Sequence, residues 1–375
     1  MKIKLSSKIK KLAYGLPCSL YVVGGYVRNF LTDGTYSSDI DLAAPISVEE
    51  LLPYLEKEKF AVLAVYKNTG TVKFGKGVEN YEFTSFRTDS YRKGGKHTPD
   101  SVTFTDDIKK DALRRDFTCN AIYYDIGKDE IVDPLFGVED VKNRRLKTVT
   151  LPEEVFSHDG LRLMRLARLA AELDFVPEAE TLKAAKKCAK NIKDVSAERI
   201  YDEIKKIFVS DFKYSFSAKD GCVKGLKILK DIGVFEIVFS EIDKAVCESA
   251  DTSKKKDALY TEMFSALPFV GEKNRLFAFF YAAEKLSTEN HIEKSSQIFG
   301  AEVLKRLKAD KKTVNTVRKL NSVCGIFEKN KTEAEIREGI LCNYGIIETL
   351  FEIENAVALS KSCGKEDSQT VKKWR

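Results

Sequence analysis

The chain contains 375 residues with a mass of 42.3 kDa, and 43% of its residues are hydrophobic while 32% are charged. This composition excludes a disordered tail, which has too few apolar residues, and an integral membrane protein, which has too few charges. The longest apolar run, residues 276–283, predicts a buried core helix because it is shorter than the roughly 18 residues that span a bilayer. The amino-terminal segment lacks the features of a signal peptide, so we expect a cytoplasmic protein.

The eight cysteines and three histidines are scattered along the chain, and no pair of cysteines has the CxxC spacing. This pattern argues against a zinc site and against a disulfide framework. The formal net charge of +6 suits a polyanionic partner, although many enzymes that bind small anions have a similar charge.

Two kinds of periodicity divide the chain. Residues 20–150 alternate short β-branched or aromatic runs with turns rich in Gly, Asp and Asn, and include a predicted helix at residues 48–59. After Pro152 the apolar spacing is helical, and no segment has the pattern of a strand. The sequence thus predicts an α+β amino-terminal head, a mixed sheet with helices, followed by an all-α carboxy-terminal half. The predicted strands are residues 21–23, 61–66, 81–86, 121–124 and 130–132.

The most informative segment is YVVGGYVRNFLTDGTYSSDIDL, residues 21–42. Residues two apart on a strand point to the same side, so Asp39 and Asp41 place two carboxylates about 7 Å apart. Such a pair suits Mg²⁺, which takes oxygen ligands and leaves positions for water and phosphates. A DxD pair alone is more often a solvated surface feature. The interpretation as a metal site therefore depends on the neighbouring residues as well.

Gly24 and Gly25 follow the first strand and precede a short predicted helix. Two glycines let backbone N–H groups approach a phosphate, and the helix start adds a favourable dipole. Arg28 could reach the same phosphates. A Gly-Gly pair before a helix is usually only a turn, but its succession with Asp39 and Asp41 in one strand–turn–helix–strand unit favours a nucleotide site.

A second polar segment, ALRRDFTCNAI, covers residues 112–122. Arg114 and Arg115 supply guanidinium groups that can bind phosphates, and Asp116 can accept a hydrogen bond from a ribose hydroxyl. Asn120 lies one helical turn beyond Asp116. The structural alternative is a helix start with local Arg–Asp pairing.

These motifs resemble those of the polymerase-β-like nucleotidyltransferases of the tRNA CCA-adding and bacterial poly(A) polymerase type. In that family GGxxRD followed by DxD forms the first motif, which Gly24, Gly25, Arg28, Asp39 and Asp41 match. RRDFTxNA is the second motif, and DPLFG at residues 133–137 matches the third.

The resemblance implies template-independent addition of CCA to the 3′ end of tRNA from CTP and ATP, with Mg²⁺ as cofactor and pyrophosphate as product. It assigns Asp39 and Asp41 to the metal. It assigns the triphosphate to Gly24, Gly25, Arg28, Arg114 and Arg115, and the ribose to Asp116 and Asn120. The sequence departs from the first motif at Asn29, where the family has Asp.

Two further features extend the resemblance. Glu82, on a predicted strand, is the candidate third catalytic carboxylate, and an outward-facing surface Glu is the alternative. The polar segment 87–107 has no helical or strand period over its first half and resembles the flexible loop of the family. Arg87, Tyr91, His97 and Pro99 match that loop, which CC-adding relatives lack.

Asp159 and Arg162 lie three residues apart and are predicted to share a helix face. The simplest interpretation is an i,i+3 ion pair, but the resemblance assigns them to base selection. A carboxylate that accepts and a guanidinium that donates fit the edges of both cytosine and adenine. His158 occupies a position where many bacterial relatives have Glu.

The resemblance implies a catalytic head at residues 1–150, a helical neck with the base-selecting motif at 151–210, and a helical body and tail at 211–375 that binds tRNA. Arg199 and Glu203 are predicted to form a helix-surface pair in the neck. Basic helices at residues 183–193 and 303–320 are either solvated faces or phosphate contacts.

Two alternatives to a CCA-adding enzyme remain open at this point. An A-adding enzyme or a poly(A) polymerase would have the same scaffold and the same motifs. A non-catalytic RNA-binding relative would explain the departures at Asn29 and His158, although Asp39 and Asp41 are both present.

Overall fold

The computed structural model describes residues 3–36, 39–91, 100–289, 299–327 and 331–362. The chain forms two compact units. The first comprises Met1–Arg162 and Phe175–Asp194, and the second comprises Leu163–Asp174 and Val195–Arg375. The expected fold class is confirmed, since a mixed sheet with helices precedes a mostly helical half.

The first unit is built on a seven-stranded sheet in the order β3-β4-β5-β2-β1-β8-β9. Strands β2 and β5 run parallel, and all other neighbours in this sheet are antiparallel. The strands are β1 (Tyr21–Val23), β2 (Ile40–Ala44), β3 (Ala61–Tyr66), β4 (Thr71–Lys76), β5 (Glu79–Ser85), β6 (Arg87–Ser90), β7 (Ser101–Phe104), β8 (Tyr123–Asp125), β9 (Glu130–Val132), β10 (Arg145–Leu146) and β11 (Val176–Pro177).

Helices pack around this sheet and continue the first unit. Helix α7 begins in the first unit and continues in the second. The helices that start in the first unit are α1 (Ser7–Gly15), α2 (Gly25–Asp33), α3 (Val48–Lys57), α4 (Ile108–Leu113), α5 (Gly137–Lys142), α6 (Pro152–His158), α7 (Leu161–Leu173) and α8 (Ala179–Lys187).

Local sequence explains where these helices begin and end. Gly24 has a φ of 80°, a conformation that favours glycine, and the chain turns there from β1 into α2. Helix α3 begins with a capping box, in which the side chains of Ser47 and Glu50 each bind the backbone N–H of the other. Asp133 accepts hydrogen bonds from the backbone N–H groups of Gly137 and Val138 at the start of α5. The DPLFG motif is thus a helix cap.

The structure corrects the prediction for residues 87–107. Strands β6 and β7 form an antiparallel hairpin, with Arg87 opposite Phe104 and Ser90 opposite Ser101. The sequence showed no strand period there because the strands are short and contain no buried residue, so their faces are not distinguished by polarity. His97 and Pro99 lie outside the described residues.

A second correction concerns the absence of strands after Pro152. The two residues of β11 pair in parallel with β10. Two residues are too few to produce a period in the sequence.

The second unit is helical. Its aromatic core includes Phe235, Phe239, Phe264 and Phe279, whose rings pack against one another. The predicted core helix at 276–283 is confirmed within α14, where Phe279, Phe280 and Tyr281 are at most 1% exposed. The helices are α9 (Ala197–Phe208), α10 (Gly221–Asp231), α11 (Phe235–Val238), α12 (Ser240–Ser249), α13 (Ser253–Ser265), α14 (Arg275–Glu289), α15 (Phe299–Arg306), α16 (Lys311–Ser322), α17 (Glu333–Cys342) and α18 (Ile347–Lys361).

No helix in the described part of the chain is both long enough and apolar enough to cross a membrane.

The predicted surface pair of Arg199 and Glu203 is wrong. Glu203 is buried, and its carboxylate binds the Nε atom of Arg168 at 2.6 Å. Arg168 also binds Glu172, one turn along α7, at 2.8 Å. Burial alone would raise the pKa of Glu203, but the nearby guanidinium groups, Arg168 above all, lower it below the ordinary value. Spacing within α9 could not reveal a partner on another helix.

Replacing Glu203 by Ala should lower the free energy of unfolding by about 3 kcal/mol, because Arg168 then loses one carboxylate while its guanidinium stays buried. Glu198 is the matched control, since it lies exposed on the same helix and pairs with Lys308. Glu198→Ala should have little effect. Urea unfolding followed by circular dichroism measures both changes, and equal losses would contradict the importance of the buried pair.

Candidate active site

The two candidate metal ligands lie at the start of β2. Asp41 is the second residue of this strand and pairs with Val23 on β1, while Asp39 directly precedes the strand. Both side chains are exposed. A Cβ atom built on Gly24 would lie 3.4 Å from the Oδ2 atom of Asp41, so this carboxylate lies beside the backbone of the Gly24 turn. The structure therefore brings the glycine turn together with Asp41, one of the two candidate metal ligands.

Glu82 lies directly beside Asp41, because β2 and β5 run parallel with these two residues in register. Tyr81 and Phe83 are buried on the opposite face, as the alternation predicted. The carboxylate of Glu82 binds the ammonium group of Lys73 on β4 at 3.1 Å. The hydrogen bond and the charge of Glu82 raise the pKa of Lys73. Lys73 was not singled out from the sequence, since its partner lies on another strand.

The donor atoms at this edge fit a divalent cation of the Mg²⁺ type. Such an ion is commonly held by one or two carboxylates and completes its coordination with water and substrate phosphates. Asp39 and Asp41 supply two exposed carboxylates. Among the described residues no cluster of three or more His, Cys, Asp or Glu side chains could hold a metal. The site suits an ion shared with a substrate and does not form a closed protein cage.

Arg28 lies within α2 and is only 4% exposed. Its Nε and Nη2 atoms donate to the Oδ1 atom of Asn29 at 3.2 and 2.9 Å, and Nη1 donates to Asn120. Asn120 in turn donates to the Oδ1 atom of Asp116 at 3.0 Å, which also accepts the backbone N–H of Phe117. The first and second motifs are thus joined by a buried chain of hydrogen bonds.

Arg114 and Arg115 both bind a residue that the sequence analysis missed. Asp111 is fully buried and accepts hydrogen bonds from Arg114 Nε at 2.8 Å and Arg115 Nη2 at 3.2 Å. It also accepts from the hydroxyl of Tyr123 at 2.7 Å and the backbone N–H of Arg87 at 3.3 Å. Each carboxylate oxygen of Asp111 therefore accepts two hydrogen bonds.

The pKa of Asp111 reflects this setting. Burial alone would raise it, but the guanidinium groups of Arg115 and Arg114 lower the pKa below its ordinary value of 3.8. The spacing of three and four residues from Asp111 to the two arginines could have revealed the pairing, since such residues face each other on a helix. The contribution of Tyr123 could not be foreseen, because it comes from β8.

The spacing predicted that Asp159 and Arg162 share a helix face, and this prediction is wrong because Asp159 lies outside the helices. It has an extended backbone between α6 and α7, and its Oδ1 atom accepts the backbone N–H of Leu161 at 2.9 Å. Arg162 is 7% exposed and donates to the carbonyl oxygens of Arg114 at 2.6 Å and Val155 at 3.4 Å. Arg162 therefore adjoins Arg114 of the second motif.

The ring of His158 stacks on the ring of Tyr91, with centroids 5.1 Å apart and planes inclined by 12°. Burial, together with the charge of Arg162, lowers the pKa of the His158 ring. Burial and the carboxylate of Asp89 raise the pKa of Tyr91 to about 12. Tyr91 is thus placed next to the candidate base-selecting residues.

Comparison with known proteins identifies this arrangement. Residues 20–147 match the poly A polymerase head domain, and residues 174–246 match the probable RNA and SrmB-binding site of polymerase A. The chain belongs to the poly A polymerase family. The head-domain match covers both of the first two motifs, so the family predicted from them is confirmed.

Relatives in this family include CCA-adding enzymes of two lactic acid bacteria. The Lactobacillus helveticus protein is 40% identical over 192 residues, which cover 50% of this chain and 45% of the relative. The Lactococcus lactis protein is 35% identical over 229 residues, covering 58% and 54% respectively. The matched region thus spans about half the length of these curated relatives.

Solved structures of the family share the fold. The Bacillus stearothermophilus CCA-adding enzyme in complex with CTP aligns with a TM-score of 0.68 and 23% identity, covering 98% of this chain and 82% of that one. The Thermotoga maritima CCA-adding enzyme complexed with tRNA aligns with a TM-score of 0.61 and 18% identity, covering 96% and 84%.

Asp111→Asn should lower the free energy of unfolding by about 3 kcal/mol, because two arginines then surround a buried neutral amide. Since the folded-state pKa of Asp111 is lowered, the wild-type chain should lose this stability as the pH falls below about 3.8. The exposed Asp106 is the control, and Asp106→Asn should change little. Denaturant unfolding at neutral pH measures both variants. Equal stability of Asp111→Asn and wild type would refute the role given to Asp111.

Proposed function

We propose that this protein adds CCA to the 3′ end of tRNA without a template, using CTP and ATP and releasing pyrophosphate. The observation that carries the proposal is the juxtaposition of Asp41 with the Gly24 turn and with Glu82 at one edge of the sheet. The curated relatives named CCA-adding enzymes support it, as do the solved relatives in complexes with CTP and with tRNA.

The triphosphate of the incoming nucleotide would bind at Gly24, Gly25 and Arg28, where a helix start and a guanidinium meet. Arg114 and Arg115 would bind the same phosphates with N–H groups that are not used to bind Asp111.

The ribose would bind at Asp116 and Asn120. The hydrogen bond between them fixes the orientation of both side chains before the sugar arrives. An oxygen of Asp116 is the natural acceptor for a ribose hydroxyl.

Asp39 and Asp41 would hold Mg²⁺, and Glu82, which binds Lys73, would assist from the neighbouring strand. When bound, Mg²⁺ supplies positive charge that stabilises the α-phosphate and favours the deprotonated 3′ hydroxyl of the tRNA. The protein's own contribution is to hold these carboxylates in register beside the glycine turn.

Asp159 and Arg162 would select the base. An acceptor and a donor side by side match cytosine and adenine, whereas guanine and uracil would leave buried polar groups unpaired, at a cost of roughly 1–3 kcal/mol per group. Arg162 donates to two backbone carbonyls, and these hydrogen bonds fix the orientation of its guanidinium group. His158 would support this pair through its stack on Tyr91.

The division into a catalytic head, a base-selecting neck and a tRNA-binding helical body remains our proposal, as does a cytoplasmic location. An A-adding enzyme or a poly(A) polymerase is the principal alternative, because these activities would require the same carboxylates and the same base-selecting pair. A non-catalytic RNA-binding relative is the second alternative.

The substrate proposal is tested with tRNA transcripts that end before CCA, after C and after CC, each incubated with one NTP at a time. We expect CTP addition to the first two transcripts and ATP addition to the third. Addition of ATP to the CC-ended transcript alone would identify an A-adding enzyme, and long oligo(A) products would identify a poly(A) polymerase. Binding of tRNA without pyrophosphate release would favour the non-catalytic alternative.

Asp39→Ala and Asp41→Ala should each reduce nucleotide incorporation by at least about 1,000-fold while leaving the fold intact, because both side chains are exposed and their charge serves the reaction. Glu56→Ala is the matched control, since this exposed carboxylate lies on α3 of the same unit. Incorporation of labelled CTP into tRNA measures activity, and circular dichroism checks folding. Activity retained by either aspartate variant would overturn the metal assignment.

A further inference from the structure

The guanidinium group of Arg28 is buried among neutral acceptors. Its three hydrogen bonds within the described part of the chain all end on amide oxygens, two on Asn29 and one on Asn120. A buried guanidinium usually has a carboxylate partner that offsets its charge. Amide oxygens orient the group but leave its full positive charge available to an anion.

The amide of Asn29 has only one orientation that fits. Arg28 can only donate hydrogen bonds, so the Oδ1 atom of Asn29 must face the guanidinium. Its Nδ2 atom has no hydrogen-bond partner in the described residues, although Asn29 is 0% exposed. A buried donor without an acceptor destabilises the fold. An aspartate here would remove the unpaired donor and form an ion pair with Arg28.

The guanidinium borders the space in which an anion would bind. A Cβ atom built on Gly25 would lie 3.4 Å from the Nη2 atom of Arg28 and 3.9 Å from its Cζ atom. Gly25 is the first residue of α2 and is partly exposed. The absence of a side chain at Gly25 therefore leaves room beside the guanidinium and the first N–H groups of the helix.

We propose that Asn29 is a positioning residue that orients Arg28 without neutralising it, and that it thereby strengthens binding of the nucleoside triphosphate. The inference rests on the proposed function, because it assumes that the anion is the triphosphate of the substrate. It also gives a physical meaning to the departure from GGxxRD. The Nδ2 atom of Asn29 has no hydrogen-bond partner in the described residues. Because Asn29 carries no negative charge, Arg28 presents its whole charge to the phosphates.

The test is Asn29→Asp in the full-length protein, with the affinity for CTP measured by isothermal titration calorimetry in the presence of Mg²⁺. We expect the Kd for CTP and the KM to rise about tenfold, because the new carboxylate offsets the charge of Arg28. The kcat should stay within about twofold, since the reacting groups are unchanged. The thermal midpoint should rise, because the buried guanidinium of Arg28 gains a carboxylate partner. CMP, which lacks the β- and γ-phosphates, should show a smaller loss of affinity.

Two controls separate charge from other effects. Asn315→Asp introduces the same charge beside Arg318, to which Asn315 is hydrogen-bonded at 3.3 Å on the exposed surface of α16, and should not change CTP binding. Asn29→Ala removes the hydrogen bonds that orient Arg28 without adding charge; it should lower the thermal midpoint and raise the Kd for CTP by about threefold, less than Asn29→Asp does.

The outcomes are distinct. Unchanged or tighter CTP binding by Asn29→Asp, a lower thermal midpoint or failure to fold would each overturn the inference. Equal weakening by Asn29→Ala and Asn29→Asp would show that orientation matters and charge does not, which also overturns it. Failure of the wild-type protein to bind CTP would instead refute the proposed function.

Discussion

The register of β2 between β1 and β5 is the constraint on which the site depends. Asp41 is aligned with Val23 on one side and with Glu82 on the other. Because side chains alternate along a strand, a slip of one residue would turn Asp41 into the buried face and bring Leu42 out. The aromatic and aliphatic residues behind the sheet therefore fix the position of the carboxylates, although they touch no substrate. The packing that stabilises the core therefore also sets the geometry of the site.

Several charged side chains around this edge form ion pairs with one another. Glu82 is paired with Lys73, and Asp111 is paired with two arginines, so these acids and bases hold one another in defined positions. Arg28 differs from these groups, since its hydrogen bonds within the described residues end on neutral amides. The positive charge that remains would attract the triphosphate of the proposed substrate. The modest net charge of the whole chain does not reveal this local arrangement.

The sequence predicted those features that depend on short-range pattern. The β-branched and aromatic runs predicted β1, β3 and β9 at the positions found. The pairing of Asp39 and Asp41 as metal ligands stays a prediction, and β2 begins only after Asp39. Contacts with partners from elsewhere in the fold were either not predicted or predicted wrongly. Glu203 pairs with Arg168 across helices, and Tyr123 reaches Asp111 from a separate strand.

The turn at Gly24 links two positions that are far apart in the printed sequence. Its φ of 80° disfavours any other residue, and a Cβ atom there would approach the Oδ2 atom of Asp41 to 3.4 Å. A substitution at Gly24 would thus strain the backbone and bring a side chain into contact with the carboxylate of Asp41. The dependence runs one way, because the positive φ at Gly24 demands glycine whatever residue occupies position 41.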